Sequence, residues 1–360
     1  MTNKEILTYL NFLKIRNSKI LDIIKFISPK DLFEVDREEL DFLDKKTIDK
    51  IFDKDNFEKF KYYKEEIIKN NIRISSILDD SYPINLRDIN DAPALFYYKG
   101  QLEKEDKFSV AIVGARKCTD YGKYVCKSLT KELSNLSITT ISGLALGIDA
   151  ICHKTSIENN SKTIGIIGNG IDQIYPKRNR RLYEMMQKDH LIISEFPLKT
   201  PPLAYNFPQR NRIISGMSLA TVVIEAKEKS GTLITANFAA EQGRDVLAVP
   251  GNINSFYSKG TNKLIQDGAK LVSNIDDVIN EILPLKDYVD KNKSIKKDTS
   301  SLDKEEKKVY DFILKNSPCS TQKIVDYMRI DISIANYLIT SLELKDFIES
   351  SGNDEYTAKG

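Results

Sequence analysis

The sequence contains few of the residues that bind metals or form disulfides. Its 360 residues include four cysteines and two histidines. No two of the cysteines form a CxxC pair, which structural zinc sites usually contain. The pattern therefore predicts reduced thiols, a cytoplasmic location, no metal site and no bound cofactor.

Long apolar runs are also missing, since no stretch approaches the roughly 18 residues that a membrane-spanning helix needs. The N-terminal segment MTNKEILTYLNFLKIRNSK carries charges throughout and has no small-residue cleavage site, which argues against a signal peptide. The net charge is only +2. We therefore expect no membrane partner, and any affinity for nucleic acid must come from local clusters of basic residues.

The first 72 residues contain no glycine. Apolar residues recur there at helical spacing, for example in ILTYLNFLKI and SKILDIIKFI, which predicts a small helical module over residues 1–72. Helix-hairpin-helix modules bind DNA phosphates through a glycine-containing turn, and this segment has none. We therefore favour a packing or protein-contact role over a DNA-binding one.

Residues 73–285 show a different pattern, in which short β-branched runs alternate with helical stretches. The runs are SVAIVG, ITTISG, TIGIIG, LIISE, ATVVIEA and DVLAVPG. This alternation predicts an α/β domain with a doubly wound, mostly parallel sheet covered by helices on both faces. Several runs end in glycine or another small residue, where ligand sites of such sheets form.

The C-terminal part divides into a charged segment and a compact unit. Residues 286–303 have low hydrophobicity and are predicted to be a linker. Residues 304–360 contain three helical patterns followed by a hairpin pattern, which predicts a winged helix. The third of these helices carries Glu343, Lys345 and Asp346, so protein contact is at least as plausible as DNA contact.

The stretch SVAIVGARKCTDYG begins as a dinucleotide-binding turn would, with a buried strand that leads to Gly114. The dinucleotide fingerprint requires a second glycine two residues later, where this chain has Arg116. Thr119 or Asp120 can cap the next helix, whose free N–H groups favour an anion. Arg116 adds a donor suited to a phosphodiester oxygen.

The second turn, SGLALGIDAICH, departs from the same fingerprint. Dehydrogenases usually place an acidic residue after the second strand to bind ribose hydroxyls, whereas this chain has Ser142 and Gly143, which suit phosphate better. NAD binding is therefore disfavoured. We expect Asp149 to hold the turn together rather than to act in catalysis.

Basic and aromatic residues interleave in the next two segments. Lys177, Arg178, Arg180 and Arg181 lie within five positions of each other. Phe207, Arg210 and Arg212 follow in the segment NFPQRNR. Bases can stack on aromatic rings while guanidinium groups neutralise the backbone, a combination typical of single-stranded nucleic-acid binding.

Two further turns lead into helices. Ser230, Gly231 and Thr232 form one of them, and the segment KGTNK, which includes Lys263, forms the other. Helix N-termini bind anions. Several phosphate sites along one sheet edge suit the backbone of a polymer better than a single nucleotide.

The order of these motifs, from VAIVGAR through SGLALGID, GNGIDQIYP, FPQRNRIISG, SGTLITA and VPG to KGTNKLIQDGA, resembles the DNA-processing protein A family (DprA, or Smf). The resemblance runs from about Tyr82 to residue 285. Departures are mild: Ala115 stands where serine or threonine is common, and the linker is rich in lysine.

This resemblance implies an extended Rossmann-like fold, an N-terminal helical module of the SAM-like type and a C-terminal winged helix. It implies a homodimer that binds single-stranded DNA and loads the recombinase RecA onto it during natural transformation and recombination. From the residues themselves we expect binding that is independent of DNA sequence, and a protein that is not an enzyme. The residues implied or predicted to bind DNA are Gly114, Arg116, Ser142, Gly143, Lys177, Asn206, Phe207, Arg210, Arg212, Gly231, Thr232 and Lys263.

An enzyme of another class is the main alternative. Rossmann-type nucleotide phosphoribohydrolases use a PGGxGTxxE turn whose glutamate assists hydrolysis. The segment EKSGTLITA keeps Gly231 and Thr232 but has Thr235 in place of that glutamate. Without this carboxylate, acid–base help for breaking a glycosidic bond has no evident source.

Overall fold

A computed structural model describes residues 1–295, 301–352 and 354–358. The chain divides into two compact units, Met1–Leu285 and Lys286–Gly360. Within the described residues, no helix combines the length and apolar character that crossing a membrane requires.

The first unit begins with four helices: α1 (Asn3–Phe12), α2 (Asn17–Phe26), α3 (Lys45–Ile51) and α4 (Lys54–Lys69). Short 3-10 turns at Pro29–Asp31 and Arg37–Leu40 connect α2 to α3. Helix α1 begins with a reciprocal capping box between Thr2 and Glu5. The helical character predicted for the N-terminal segment is therefore present.

A nine-stranded sheet forms the centre of the first unit. Its strands are β1 (Arg73–Ser76), β2 (Leu95–Lys99), β3 (Ser109–Val113), β4 (Thr139–Ser142), β5 (Thr163–Ile167), β6 (Leu191–Ser194), β7 (Ala220–Val223), β8 (Asp245–Ala248) and β9 (Lys270–Leu271). Their spatial order is β1-β2-β6-β5-β4-β3-β7-β8-β9. Strand β2 runs antiparallel to both neighbours, and all other pairs are parallel, as predicted.

Helices connect the strands of this sheet. They are α5 (Ile84–Arg87), α6 (Asp120–Asn135), α7 (Ile148–Glu158), α8 (Arg180–Asp189), α9 (Asn206–Met217), α10 (Gly231–Glu241), α11 (Lys259–Gln266) and α12 (Ile275–Glu281). The helical patterns in the sequence do not include α9. Its Pro208 lies in the first turn, where a helix tolerates proline because that N–H has no partner in any case.

The order of the strands fixes where a ligand can enter. From β3 the chain adds β4, β5 and β6 on one side, then returns to place β7 on the other side of β3. The loops after β3 and β7 therefore separate in opposite directions and leave a crevice at the carboxyl ends of these strands.

The N-terminal helices share a hydrophobic core with the sheet edge. Leu7, Leu10 and Phe60 belong to the same buried cluster as Tyr97 and Ile192. The Tyr63 hydroxyl donates to the Tyr97 hydroxyl (2.9 Å), deep in this cluster. Residues 1–72 consequently pack as part of the first unit.

The second unit contains α14 (Lys304–Lys315), α15 (Thr321–Met328) and α16 (Ile332–Leu344). Strands β10 (Cys319–Ser320), β11 (Ile348–Gly352) and β12 (Glu355–Ala358) form an antiparallel sheet in the order β10-β12-β11. The three helices and the hairpin match the sequence patterns. Helix α13 (Leu283–Ile295) takes up the first part of the predicted linker, of which residues 296–300 lie outside the described residues.

Candidate nucleic-acid interface

An open cleft of about 690 Å³ lies at the crevice between the loops after β3 and β7. Residues 113–117 form one wall, residues 227–235 form the opposite wall, and α9 forms the floor. Six of the predicted DNA-binding residues line it: Gly114, Arg116, Phe207, Arg210, Gly231 and Thr232.

Phe207 is the aromatic centre of the cleft. The guanidinium carbon of Arg116 lies 5.6 Å from the centre of its ring, and that of Arg210 lies 5.9 Å away. The Tyr175 ring, which the sequence patterns did not single out, lies 5.6 Å from Phe207 at an interplanar angle of 40°. An aromatic surface bordered by guanidinium groups suits a stacked base with its phosphate.

Arg116 and Arg210 differ in burial. Arg116 is exposed, whereas Arg210 is only 4% exposed. Nη1 of Arg210 donates to the Gly143 carbonyl oxygen (2.7 Å) and to the Ile166 carbonyl oxygen. Its Nε has no hydrogen-bond partner among the described residues, so a buried donor remains available behind the cleft. Burial lowers the pKa of Arg210, and Asp149 opposes this shift.

Arg212 was predicted as a DNA anchor, but its side chain points away from the cleft. It is 7% exposed, its Nε lies 3.0 Å from Asp91 Oδ2, and its Nη2 donates to Glu195 Oε1 (2.5 Å). Two carboxylates thus neutralise this guanidinium. In the structure Arg212 ties α9 to the loops before β2 and after β6 instead of offering charge to a ligand.

Ser142 and Gly143 also form internal contacts in place of the predicted contacts with phosphate. Ser142 is fully buried and its hydroxyl donates to the Ile112 carbonyl oxygen (2.6 Å). The Gly143 amide donates to Asp149 Oδ2 (3.1 Å). The structural role predicted for Asp149 is therefore confirmed, and burial raises the pKa of this carboxyl group.

The N-terminus of α6 does not offer the free anion site that the sequence suggests. Thr119 caps the helix by accepting from the Gly122 amide (3.1 Å), as predicted. However, the Thr119 amide donates to Glu225 Oε2 (2.9 Å) and the Thr119 hydroxyl donates to Glu225 Oε1 (2.5 Å). The buried Glu225 carboxylate therefore occupies the position where a dinucleotide fold would bind phosphate.

The N-terminus of α10, by contrast, opens into the cleft. Ser230 caps it by accepting from the Thr232 amide (3.2 Å). Gly231 is exposed, and a Cβ built there would meet no described atom within 4 Å. A phosphate oxygen can therefore approach the first backbone amides of α10 closely.

The cleft contains cations that the sequence analysis missed: Lys117, Lys227 and Lys229. Nζ of Lys227 lies 4.8 Å from the Phe256 ring centre and 5.2 Å from that of Tyr257. Lys227 and Lys229 belong to the segment EAKEKSG, which connects β7 to α10. Their position two and four residues after Glu225, in a loop at a strand end, is the signal that could have identified them.

The remaining predicted residues lie outside the cleft lining. Lys177 is exposed in a 3-10 turn, two residues after Tyr175. Asn206 is buried at the start of α9, where its Nδ2 donates to the Pro201 carbonyl oxygen (3.4 Å). Lys263 is exposed on α11, and its Nζ lies 2.7 Å from Asp267 Oδ1.

A known protein family matches the α/β portion of the first unit. The model of the family described as DNA recombination-mediator protein A matches residues 73–283. The chain belongs to this family. The resemblance inferred from the motifs is thereby confirmed, over the same region that carries the sheet and the cleft.

Relatives of known name agree with the family assignment. The DNA processing protein DprA of Streptococcus pneumoniae is 46% identical over 206 residues, which cover 57% of this chain and 73% of the relative. A crystal structure of DprA from the same species has a TM-score of 0.64 at 37% identity and covers 78% of this chain and 98% of its own.

DNA processing protein A of Helicobacter pylori provides a second solved structure, described for its single-stranded DNA binding mode. Its TM-score is 0.53 at 31% identity, and the match covers 60% of this chain and 97% of that one. The mostly parallel α/β architecture is thus shared with two members of the recombination-mediator family.

Proposed function

We propose that this chain is a DNA-processing protein that binds single-stranded DNA in the cleft between β3 and β7. The observation that carries the proposal is the combination around Phe207 of exposed cations and an open helix N-terminus. Arg116, Lys117 and Lys229 are exposed, and no carboxylate of a described residue lies within 4.0 Å of their charged nitrogens. Such cations are free to neutralise a DNA backbone.

A single strand fits these groups better than a duplex. The Phe207 ring can stack on the face of a base only if that base is not already stacked on its neighbours in a double helix. The cations lie on both walls of the cleft, as backbone contacts require. The Helicobacter pylori relative, described for its binding of single-stranded DNA, supports the same ligand.

The same geometry favours binding without sequence specificity. Every base has a face that can stack on a ring, and phosphate contacts carry no sequence information. The polar side chains deepest in the cleft, Arg210 and Asp149, are engaged with backbone groups of the chain itself. Because these side chains are already engaged, few polar groups in the cleft are free to form hydrogen bonds with the edges of bases.

We further propose that the chain acts as a binding protein and not as a hydrolase. Thr235, which takes the place of the phosphoribohydrolase glutamate, is a buried residue of the cleft lining. Asp149 is the carboxyl group that lines the cleft, and it accepts from the Gly143 amide. A carboxylate held in this way stabilises a turn rather than transferring protons to a substrate.

The wider role follows from the family. We propose that the protein forms homodimers in the cytoplasm and loads a RecA-type recombinase onto single-stranded DNA, in recombination and natural transformation. We assign residues 1–72 as a SAM-like module, 73–285 as the DNA-binding domain, 286–303 as a linker and 304–360 as a winged helix.

Helix α16, in the proposed winged helix, contains no lysine or arginine, and Ile332, Ile334 and Tyr337 are exposed on it. Its composition favours a protein contact over DNA.

The deciding experiment is a fluorescence-anisotropy titration of a labelled oligo-dT, with duplex DNA of equal length as competitor. We expect tight binding to the single strand and weak competition by the duplex. Log K should fall with log salt at a slope of about −3, from roughly −0.7 for each of four or five phosphates. Failure to bind either form at low salt would instead indicate a nucleotide-sized ligand, to be tested with nucleoside monophosphates.

A second assay tests the loading role. RecA assembly on a single strand covered by single-strand-binding protein is followed with and without this protein. We expect faster assembly with the wild-type chain, and no stimulation by Arg116→Ala at protein concentrations where this weaker-binding variant leaves the DNA largely unbound. Equal rates with and without the protein would limit the function to DNA binding.

A further inference from the structure

A second groove, of about 630 Å³, lies at the opposite end of the parallel strands. The end of α4, the start of β1, the end of β2 and the end of α8 form it. Three cations line it, Arg73, Lys99 and Lys188, together with the carboxamides of Asn70, Asn71, Gln101 and Gln187. No carboxylate is among the described residues that line the groove.

The position of this groove follows from the antiparallel orientation of β2. Lys99, at the end of β2, pairs in register with Ile192, near the beginning of β6. The groove therefore lies at the amino ends of the parallel strands, whereas the cleft lies at their carboxyl ends. The two concave surfaces share no lining residue.

Lys99 gives the groove its strongest preference for an anion. Its side chain is half-buried, and no carboxylate of a described residue lies within 4.0 Å of its ammonium group. Burial lowers the pKa of Lys99, with a smaller opposing effect from Asp172. A partly desolvated cation without a counter-charge is stabilised when an anionic ligand enters.

The other two cations are more exposed. Arg73 Nη1 donates to the Gly100 carbonyl oxygen (3.4 Å), which holds the guanidinium beside the groove. Nζ of Lys188 lies 4.0 Å from Asp189 Oδ2, and both side chains are well exposed. The Ile68 side chain is 74% exposed beside these groups and offers an apolar surface to a base.

Helix α8 links the groove to the cleft. Its first two residues, Arg180 and Arg181, belong to the basic cluster of residues 177–181, which follows Tyr175 of the cleft lining, and its end supplies Gln187 and Lys188 to the groove. Ten residues of helix span about 15 Å, which corresponds to about four or five nucleotides of a stacked strand. Glu184 is exposed along the way, so we expect contacts at the two ends of α8 rather than along its whole length.

We propose that the groove binds the phosphodiester backbone of a second segment of the same DNA strand, after that strand has passed from the cleft along α8. This inference rests on the proposed function, because it assumes that the cleft binds the first segment. It assigns a DNA contact to Arg73, Lys99 and Lys188, none of which is among the residues that the sequence predicts to bind DNA.

The test compares oligo-dT of two lengths, of about six nucleotides to fill the cleft alone and of about twenty to reach the groove as well. The double variant Arg73→Gln/Lys99→Gln should bind the longer oligonucleotide about five- to tenfold more weakly, with a salt slope shallower by about 1.4. Its affinity for the shorter oligonucleotide should equal that of the wild-type chain.

Lys127→Gln/Lys131→Gln, which removes two exposed cations from α6, is the matched control and should leave both affinities unchanged. The inference is overturned if the groove variant binds both lengths as the wild-type does, or loses both equally. A wild-type chain that fails to bind the short oligonucleotide contradicts the proposed function itself. Competition by inorganic phosphate at low concentration, with no length dependence, would show a small-anion site instead.

Discussion

Helices α6 and α10 begin at the same edge of the sheet, after strands β3 and β7, which pair in parallel with Val113 opposite Val223. Their N-termini nevertheless have different surroundings. Two groups of Thr119 at the start of α6 donate to the Glu225 carboxylate, whereas the start of α10 is capped only by Ser230 and opens into the cleft. The comparison shows that the turn most similar to a dinucleotide fingerprint is occupied internally, and that the later, less conspicuous turn is the open one.

The largest effect is expected from removing the internal anion. Glu225→Ala deletes two charge-assisted hydrogen bonds, so we expect the free energy of unfolding to fall by about 3 kcal/mol. Urea unfolding followed by circular dichroism measures it. DNA affinity at a temperature where the variant is folded should not change.

Glu228→Ala provides the matched control for that variant, because it removes an exposed carboxylate from the same loop. Its unfolding free energy should stay within about 0.5 kcal/mol of the wild-type value. A Glu225→Ala protein that is as stable as the wild-type would show that α6 does not depend on this carboxylate.

Arg116→Ala tests the cleft, into which the start of α10 opens. It removes an exposed charge-assisted contact worth about 1.5–3 kcal/mol, so single-stranded DNA affinity should fall between about tenfold and a hundredfold. Stability should not change, because the side chain is exposed. Lys263→Ala serves as control, since that lysine lies outside the cleft lining, and anisotropy should show less than about a twofold loss. Equal losses for the two variants would contradict the assignment of the cleft.

Two glycine substitutions compare the helix starts directly. In Gly122→Ala the new Cβ would lie within 2.5 Å of a Glu225 carboxylate oxygen, so we expect a loss of about 1–3 kcal/mol in unfolding free energy. Gly231→Ala meets no described atom within 4 Å and should change stability by no more than about 0.5 kcal/mol. It should still weaken DNA binding, because its methyl group occupies the approach to α10. The opposite ranking of the two stabilities would refute the contrast between the helix starts.

The stability of the protein and its affinity for DNA are expected to respond differently to pH, because a buried histidine lies in the interior of the first unit and not in the cleft. His153 is fully buried, its Nδ1 lies 2.7 Å from the Thr163 hydroxyl, and burial lowers its pKa to about 3. The unfolded chain therefore binds a proton at His153 that the folded chain does not, and stability falls as the pH falls from about 6.5 toward 3, by up to about 1.4 kcal/mol per pH unit.

His153→Asn should flatten this dependence relative to the wild-type chain when unfolding is measured at several pH values. DNA affinity between about pH 6 and 8 should stay constant in both proteins, because no histidine is among the described residues that line the cleft. If DNA affinity changed with the protonation of His153, the protonation state of this buried histidine would affect the cleft, which would contradict our expectation.

The sheet was predictable because its signals are local. Each strand from β3 to β8 corresponds to a β-branched run, most of these runs end in a small residue, and several of the helices between them have their own periodicity. Helix α9 was missed because NFPQRNR lacks an apolar stripe and contains Pro208. Strands β1, β2 and β9 were not identified as separate runs.

The site was predictable only in part, because several of its determinants join distant parts of the chain. Glu225 and Thr119 are 106 residues apart, and no local pattern connects them. Arg212 has the same side chain as Arg116, yet the carboxylates of Asp91 and Glu195 neutralise it. Sequence patterns identify which residues can bind a phosphate, and the fold decides which of them remain free to do so.

The core that the N-terminal helices share with the sheet has a consequence for any shortened version of the protein. Removing the first 72 residues would uncover the Tyr97 hydroxyl, which otherwise meets Tyr63 and Asn11, and the apolar surface around it. It would also strip β1, the edge strand, of the helix that packs against it. An uncovered edge strand can pair with the strand of another molecule, and an exposed apolar surface beside it promotes aggregation. The helices thus act as a protective cover for the sheet, and a trimmed protein would need polar substitutions there to remain in solution.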